Sequence, residues 1–286
     1  MRAFLLAAGE GRRLRPLTDT TPKCLVPING KPLLALWLEL CRKHRITEIL
    51  INLHHHHEKV LAFLNAHEFG VNVTTVYEAT LLGSAGTVAR HRSFVADERD
   101  FFILYADNLT NADLGKMLRF HQDRKSLFTI GLSRTDQPQE KGIVALDRGD
   151  RVVEFVEKPS NPLSNLVNAG IYIAGQELYQ YLTAKDFLDL GFDVLPKLVG
   201  QMYGYIIQSI CLTSGPMLRT GRRSWNGRKS KSVRVPGKLF GRYFFHKRRS
   251  CRSVHDRRRL PVIFAIFRRD CQPTFAAFSR LRFLRR

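Results

Sequence analysis

Between residues 1 and 209 short, almost wholly apolar runs alternate with longer stretches whose apolar residues fall three or four apart. That alternation constrains the fold more than any other feature of the chain. A run apolar at every position fits a strand buried on both faces of a parallel sheet, and an apolar stripe at helical spacing fits a helix laid on it. AFLLAA (3–8) ends in Gly9 and reads as the first strand. Pro32 opens a helix to about Arg45, with Leu33, Leu34, Leu36, Trp37 and Leu40 on its inner face. EILINL (48–53), VNVTTVY (71–77), FFILYA (101–106), SLFTIGLS (126–133), VNAGIYIAG (167–175) and YGYIIQS (203–209) read as strands. Glu58–His67, Ser84–Val95, Leu114–Asp123, Gln176–Leu182 and Asp193–Gln201 read as helices. GIVALD (142–147) and RVVEFVE (151–157) flank the polar turn Arg148-Gly149-Asp150 and read as a hairpin. The expected fold is α/β, three layers around a mostly parallel sheet with one hairpin insertion and no internal repeat.

The chain has 286 residues and a formal charge of +21, which by itself would suggest nucleic acid or an anionic membrane. The charge is unevenly placed. Residues 1–209 carry 24 basic and 23 acidic side chains, while residues 210–286 carry 22 and 2. The boundary also separates periodic from aperiodic text, such as HKRRSCRSVHDRRR. Two segments are therefore expected: a domain over 1–209 and a basic tail over 210–286. No apolar run approaches the ~18 residues of a membrane span, and the first residues do not resemble a signal peptide. Five cysteines without a pairing pattern point to a reduced, cytoplasmic protein.

In an open α/β sheet, ligands bind beyond the carboxyl ends of the strands. After the first strand comes Gly9-Glu10-Gly11-Arg12-Arg13-Leu14-Arg15, followed by Pro22-Lys23. Two glycines allow close backbone approach to a phosphate. Leu14 breaks the dinucleotide fingerprint and no Gly-Lys-Ser/Thr follows, so neither common nucleotide motif is present. The density of cations instead suits a triphosphate whose leaving group gains charge. Asp107 follows FFILYA and is placed either to hold Mg²⁺ or to cap the next turn. Glu157-Lys158 ends the hairpin and reads as a hydroxyl acceptor and a phosphate cation, or as a solvated pair. The run His54–His57 lacks metal-ligand spacing and reads as a polar loop and helix start. Cys24 and Cys41 read as small core or near-loop residues.

The stretch LLAAGEGRRLRPLTDTTPKCLVPINGKPLL (5–34) resembles the N-terminal motif of the nucleoside-diphosphate-sugar pyrophosphorylases, the sugar-1-phosphate nucleotidyltransferases. The resemblance runs to about residue 209 and is greatest to mannose-1-phosphate guanylyltransferase-like members. It implies a Rossmann-like nucleotidyltransferase domain that converts a nucleoside triphosphate and a sugar 1-phosphate to nucleotide-sugar and pyrophosphate. It further implies that Ala8, Gly9, Gly11 and Arg12 hold the nucleotide, with Gly83 and Ser84 along the base. Glu78, just before that segment, reads as an acceptor for a guanine edge. Gly142, Glu157, Lys158 and Asn168 would meet the sugar phosphate, and Asp107 would bind Mg²⁺. The attacking phosphate oxygen is already anionic, so no general base is required. Catalysis is expected to be alignment of an in-line attack, with Arg13 and Lys23 neutralising the departing pyrophosphate.

After YGYIIQS the family pattern calls for Leu/Trp-x-Asp-Ile/Thr-Gly-Thr, whose Asp is a second metal ligand. The chain instead reads Ile210-Cys211-Leu212-Thr213-Ser214-Gly215-Pro216. One codon set for these residues, ATC TGC TTG ACA TCG GGA CC, regroups from the third base into Leu-Leu-Asp-Ile-Gly-Thr. Residues 210–286 are accordingly expected to be frameshifted and disordered. The competing reading is a basic arm for nucleic acid or membrane using Trp225, Phe244, Phe245 and Phe283. The competing function is a non-catalytic nucleotide-sugar sensor. The residues read so far call for no specific nucleic acid, and they leave the base, the sugar and a homo-oligomeric state open.

Overall fold

The computed structural model describes residues 1–162, 164–183, 185–208 and 211–213, the last three as backbone. The expected frameshifted tail, with its aromatic residues, lies outside them apart from that short strand. In chain order the elements are β1 (Arg2–Leu6), β2 (Pro27–Ile28), β3 (Lys31–Pro32), α1 (Leu33–Lys43), β4 (Glu48–Leu53), α2 (His57–Asn65), β5 (Asn72–Tyr77) and α3 (Ser84–Arg90). There follow β6 (Asp100–Tyr105), β7 (Asn108–Thr110), α4 (Leu114–Asp123), β8 (Phe128–Arg134), β9 (Gly142–Leu146), β10 (Val152–Glu157), β11 (Leu166–Gly175), β12 (Tyr203–Ile206) and β13 (Cys211–Thr213).

β1 lies between β4 and β6 and pairs in parallel with both, Phe4 standing opposite Leu50 on one side and Ile103 on the other. The chain builds outward from β1 through β4 to β5, then returns across it to β6. That reversal opens a crevice at the end of β1. Seven strands of the nine-stranded sheet point one way; only β10 and β11 run against them. The sheet is mostly parallel as expected, and β9–β10 is the expected antiparallel hairpin.

Alternate residues of each strand feed two cores, because side chains alternate across a sheet. Ala3, Leu5, Ile49, Ile51, Phe102 and Leu104 pack beneath α1, α2 and α4. Phe4, Leu50, Phe101, Ile103, Phe128 and Tyr172 pack beneath α3 and the turns that follow β11. This supplies the three layers. Asp113 caps α4 by accepting from the Lys116 amide at 3.0 Å.

Three expected helices differ from the structure. The helix from Ser84 stops at Arg90 and continues only as a 3₁₀ turn, Arg92–Val95. Gln176–Tyr181 is a 3₁₀ turn. The helix expected over Asp193–Gln201 is replaced by a wide π turn, Leu190–Val194, and a 3₁₀ turn, Leu195–Leu198. Pro196 accounts for the last, since proline lacks the N–H of the helical ladder and crowds the preceding turn. The strand expected to reach residue 209 ends at Ile206. β2, β3, β7 and β13 are too short to carry a periodic signal.

Leu104 is fully buried in β6 between β1 and β11. Leu104→Ala is expected to cost ~2–5 kcal/mol with an unchanged urea m-value. A loss well under 1 kcal/mol in equilibrium unfolding would contradict this core placement.

Candidate active site

A cavity of about 280 Å³ opens at the carboxyl ends of β1, β4, β5 and β6, lined by Ala8, Gly9, Lys23, Glu78, Gly83 and Asp107 among others. The loop after β1 winds through three 3₁₀ turns, Arg12–Leu14, Leu17–Asp19 and Lys23–Leu25. Gly11 lies in the left-handed region at φ +67°, and a methyl group there would stand 2.8 Å from Thr18 Cγ2. The Thr18 hydroxyl donates to the Gly11 carbonyl at 2.9 Å and pins the loop. The final turn carries Lys23 back over the cavity, where its ammonium pairs with the Asp107 carboxylate. Asp107 thus faces a cation across the cavity as well as starting the turn into β7.

The two arginines are placed differently. Arg12 pairs with Glu10, and that hydrogen bond holds the Glu10 carboxyl below its ordinary pKa. Arg13 donates to Glu140 Oε2 at 3.0 Å, with both side chains more than half exposed. Neither arginine lines the cavity.

The opposite wall is the loop into α3. Gly83 has φ +81° and ψ 165°, and an added methyl carbon would fall 2.4 Å from the Leu188 carbonyl oxygen. That oxygen accepts from the amides of Ala85 at 2.9 Å and Gly86 at 3.0 Å. The Ser84 hydroxyl donates to Asp189 Oδ2 at 3.0 Å and accepts from the Leu190 amide at 2.8 Å. Phe187 and Asp189 also line the cavity. Glu78 is buried, and its carboxylate accepts from Asn52, Thr87 and the Leu82 amide.

The residues expected to meet the sugar phosphate form a second group, beyond β9 and β10. Gly142 and Glu157 stand opposite each other in the hairpin. Lys158 Nζ lies 3.6 Å from Glu157 Oε1 and 5.0 Å from the centre of the Phe192 ring. Burial pushes the Glu157 carboxyl above its ordinary pKa; Lys158 opposes the rise and Asp189 adds to it. Asn168 donates to the Tyr172 hydroxyl at 2.7 Å and accepts from the Gly170 amide at 2.9 Å. None of these four lines the cavity, but Asp189 acts electrostatically on Glu157 and is shared between the two groups.

Asn52, Phe187 and Asp189 were not singled out from the sequence. Asn52 left a signal, a polar residue inside the apolar run EILINL. The other two lie in an irregular segment with no periodicity to interrupt. The His run serves the backbone: His54 Nδ1 donates to the Glu78 carbonyl at 2.7 Å, and His56 Nε2 to that of Asp19 at 2.9 Å. Among the described residues no three His, Cys, Asp or Glu side chains are placed to hold a metal. No described helix is long and apolar enough to cross a membrane. Cys24 and Cys41 are free and buried, and burial pushes both thiols up to about 12.

A model of the nucleotidyl transferase family matches residues 2–209. The chain belongs to the nucleotidyl transferase family. It is 32% identical over 259 residues to the UTP–glucose-1-phosphate uridylyltransferase of Synechocystis sp., covering 83% of this chain and 66% of that protein. It is 31% identical over 222 residues to the mannose-1-phosphate guanylyltransferase catalytic subunit beta of Danio rerio, covering 75% and 61%. The chain spans about half to two thirds of the length of the curated relatives it matches. The crystal structure of HddC from Yersinia pseudotuberculosis shares the nucleotidyl transferase fold, with a TM-score of 0.65 at 23% identity over 75% of this chain and 93% of that one.

Two expectations follow. Gly83→Ala should lose at least ~1–3 kcal/mol, because the backbone region is nearly closed to other residues and the added methyl meets Leu188. Wild-type stability in urea would contradict the docking of Leu188. For Glu157 the folded pKa lies above the unfolded one, so the fold loses stability as pH rises between the two. Glu157→Gln should therefore be more stable than wild type at pH 7, with the gain shrinking toward pH 4. An equal difference at both pH values would contradict the burial.

Proposed function

We propose that the chain transfers a nucleotidyl group from a nucleoside triphosphate to a sugar 1-phosphate, with GTP and mannose 1-phosphate as the leading substrates. The observation that carries this reading is the meeting of Lys23 and Asp107, 84 residues apart, at the switch-point cavity. Guanine and mannose rest on the guanylyltransferases among the relatives. Free, buried cysteines support a reducing compartment, and the cytoplasm is the proposed location.

The nucleotide would lie between the Ala8–Gly11 loop and the Leu82–Ser84 loop, its phosphates toward Lys23. The sugar 1-phosphate would approach from Glu157, Lys158 and Asn168, with Gly142 leaving room for the sugar. Lys158 offers a cation to its phosphate and Glu157 an acceptor to its hydroxyls. The attacking oxygen needs no base, so the residues supply alignment and neutral charge. Lys23 would exchange Asp107 for the phosphates, and Arg12 and Arg13 would leave Glu10 and Glu140 to cover the departing pyrophosphate.

Asp107 fits a magnesium ion: it is a hard oxygen donor on the cavity wall, and Mg²⁺ is held by one or two carboxylates plus substrate phosphates. When bound, the ion would neutralise phosphate charge. The family pattern asks for a second carboxylate after β12. The regrouped codons would put it across Leu212 and Thr213, on β13, which pairs with β7 immediately beyond Asp107. This juxtaposition supports the proposal that the reading frame changes near residues 208–210. The gene's nucleotide sequence tests it: a stretch unable to encode Asp-Ile-Gly-Thr in another frame there overturns it.

Pyrophosphate release from a panel of triphosphates and sugar phosphates with Mg²⁺ tests the function. Arg13→Ala and Lys23→Ala are each expected to lower turnover roughly 10²-fold or more. Nucleotide binding with no turnover would favour the sensor reading, and near-normal activity in both variants would overturn the assigned roles.

A further inference from the structure

The group beyond β9 and β10 holds one contact that the reaction as derived leaves unused, the ring of Phe192 against the Lys158 ammonium. Lys158 directly follows β10 and lies in the left-handed region at φ +49°, its amide donating to the Lys141 carbonyl at 3.2 Å. Its ammonium stands 3.6 Å from Glu157 Oε1 and 5.0 Å from the centre of the Phe192 ring. The ring belongs to the π turn Leu190–Val194, which is tied along its length. The Phe192 amide donates to Asp189 Oδ1 at 3.1 Å, the Asp189 amide to Asp193 Oδ2 at 2.8 Å, and the Leu190 amide to the Ser84 hydroxyl at 2.8 Å. Gly191 lets this turn close on the hairpin, since a methyl group there would stand 2.9 Å from Glu157 Oε2. Phe192 itself is 59% exposed, so a smaller apolar residue in its place opens no hole in the core.

We propose that Phe192 is a positioning residue for the sugar 1-phosphate, its ring face holding the Lys158 ammonium in place for the incoming phosphate. The proposal rests on the role given to Lys158 above and deepens it. An ammonium on a flexible four-carbon stem has many rotamers, and ordering it costs entropy on binding unless the chain has ordered it beforehand. Glu157 orders it by opposing its charge, which also weakens its pull on a phosphate. An aromatic face attracts the cation through its quadrupole and carries no net charge, so the positive charge stays available to an anion. Between these two partners the Lys158 side chain is still 45% exposed, and an anion can reach it. Phe192 does not line the nucleotide cavity, so its effect is confined to the second substrate.

The test compares wild type with Phe192→Leu, Phe192→Tyr and Phe192→Trp in the full chain. Steady-state kinetics use GTP, mannose 1-phosphate and Mg²⁺; calorimetry follows GTP binding, and NMR follows the Lys158 ε-methylene protons. Leucine keeps the position apolar and removes the π face. KM for mannose 1-phosphate is expected to rise about two- to fivefold in Phe192→Leu, the effect of an exposed cation–π pair. GTP affinity and kcat should be unchanged, as for an interaction equal in ground and transition states. Phe192→Tyr should keep the wild-type KM, and Phe192→Trp, whose ring binds cations best, should match or lower it. The Lys158 protons, displaced upfield by the ring in wild type, should return to the ordinary lysine position in Phe192→Leu and stay displaced in Phe192→Tyr. An unchanged KM in Phe192→Leu, an equal rise in Phe192→Tyr, or a matching loss of GTP affinity overturns the proposal, the last because it marks a general disturbance of the fold. If wild type turns over no sugar 1-phosphate, the function falls and the proposal with it. If wild type is active and Phe192→Leu keeps its KM, the proposal alone falls.

Discussion

The parallel pairing of β1 with β4 on one side and β6 on the other governs the rest of the molecule. A parallel neighbour can be reached only by a crossover, and crossovers on the two sides must diverge over opposite faces of the sheet. The chain therefore separates at the end of β1, and backbone that would otherwise pair is left facing a gap. The cavity collects the start of the glycine loop after β1, Asn52 near the end of β4, Glu78 after β5 and Asp107 after β6. The apolar residues of β1 hold this arrangement by burying Phe4 on one face and Leu5 on the other.

The elements that create this gap were legible because burial dictates their composition. EILINL and FFILYA have no other state in which their apolar residues leave water. Asp107 was legible for the same reason in reverse, as a carboxylate directly after such a run. The segment 185–198 was not legible. It folds by tertiary contacts, the Leu188 carbonyl on α3 and the Asp189 carboxylate on Ser84, and such partners have no spacing in sequence. Arg13 was legible as a cation beside the glycine turn, but its pairing with Glu140, 127 residues away, was not.

The site also departs from what stability alone would select. Glu157 stands in surroundings that favour its neutral form, so burial makes its ionised form costly. Asp189 stands near enough to deepen that cost while lining the neighbouring cavity. Such conflicts are expected where a surface is built for a ligand that supplies the missing partner.

The docking of Leu188 on α3 has a wider meaning. In many phosphate sites the first amides of a helix, with the helix dipole behind them, face the anion. Here two of those amides are spent on a carbonyl of the protein's own chain, so this helix offers them to no anion, and the cation on the cavity wall is a side-chain group, the Lys23 ammonium. Attraction of that kind is screened by dissolved ions, with a reach of about 8 Å at physiological ionic strength. Under the proposed function, the hold on nucleotide would belong as much to the saltiness of its surroundings as to the shape of the cavity.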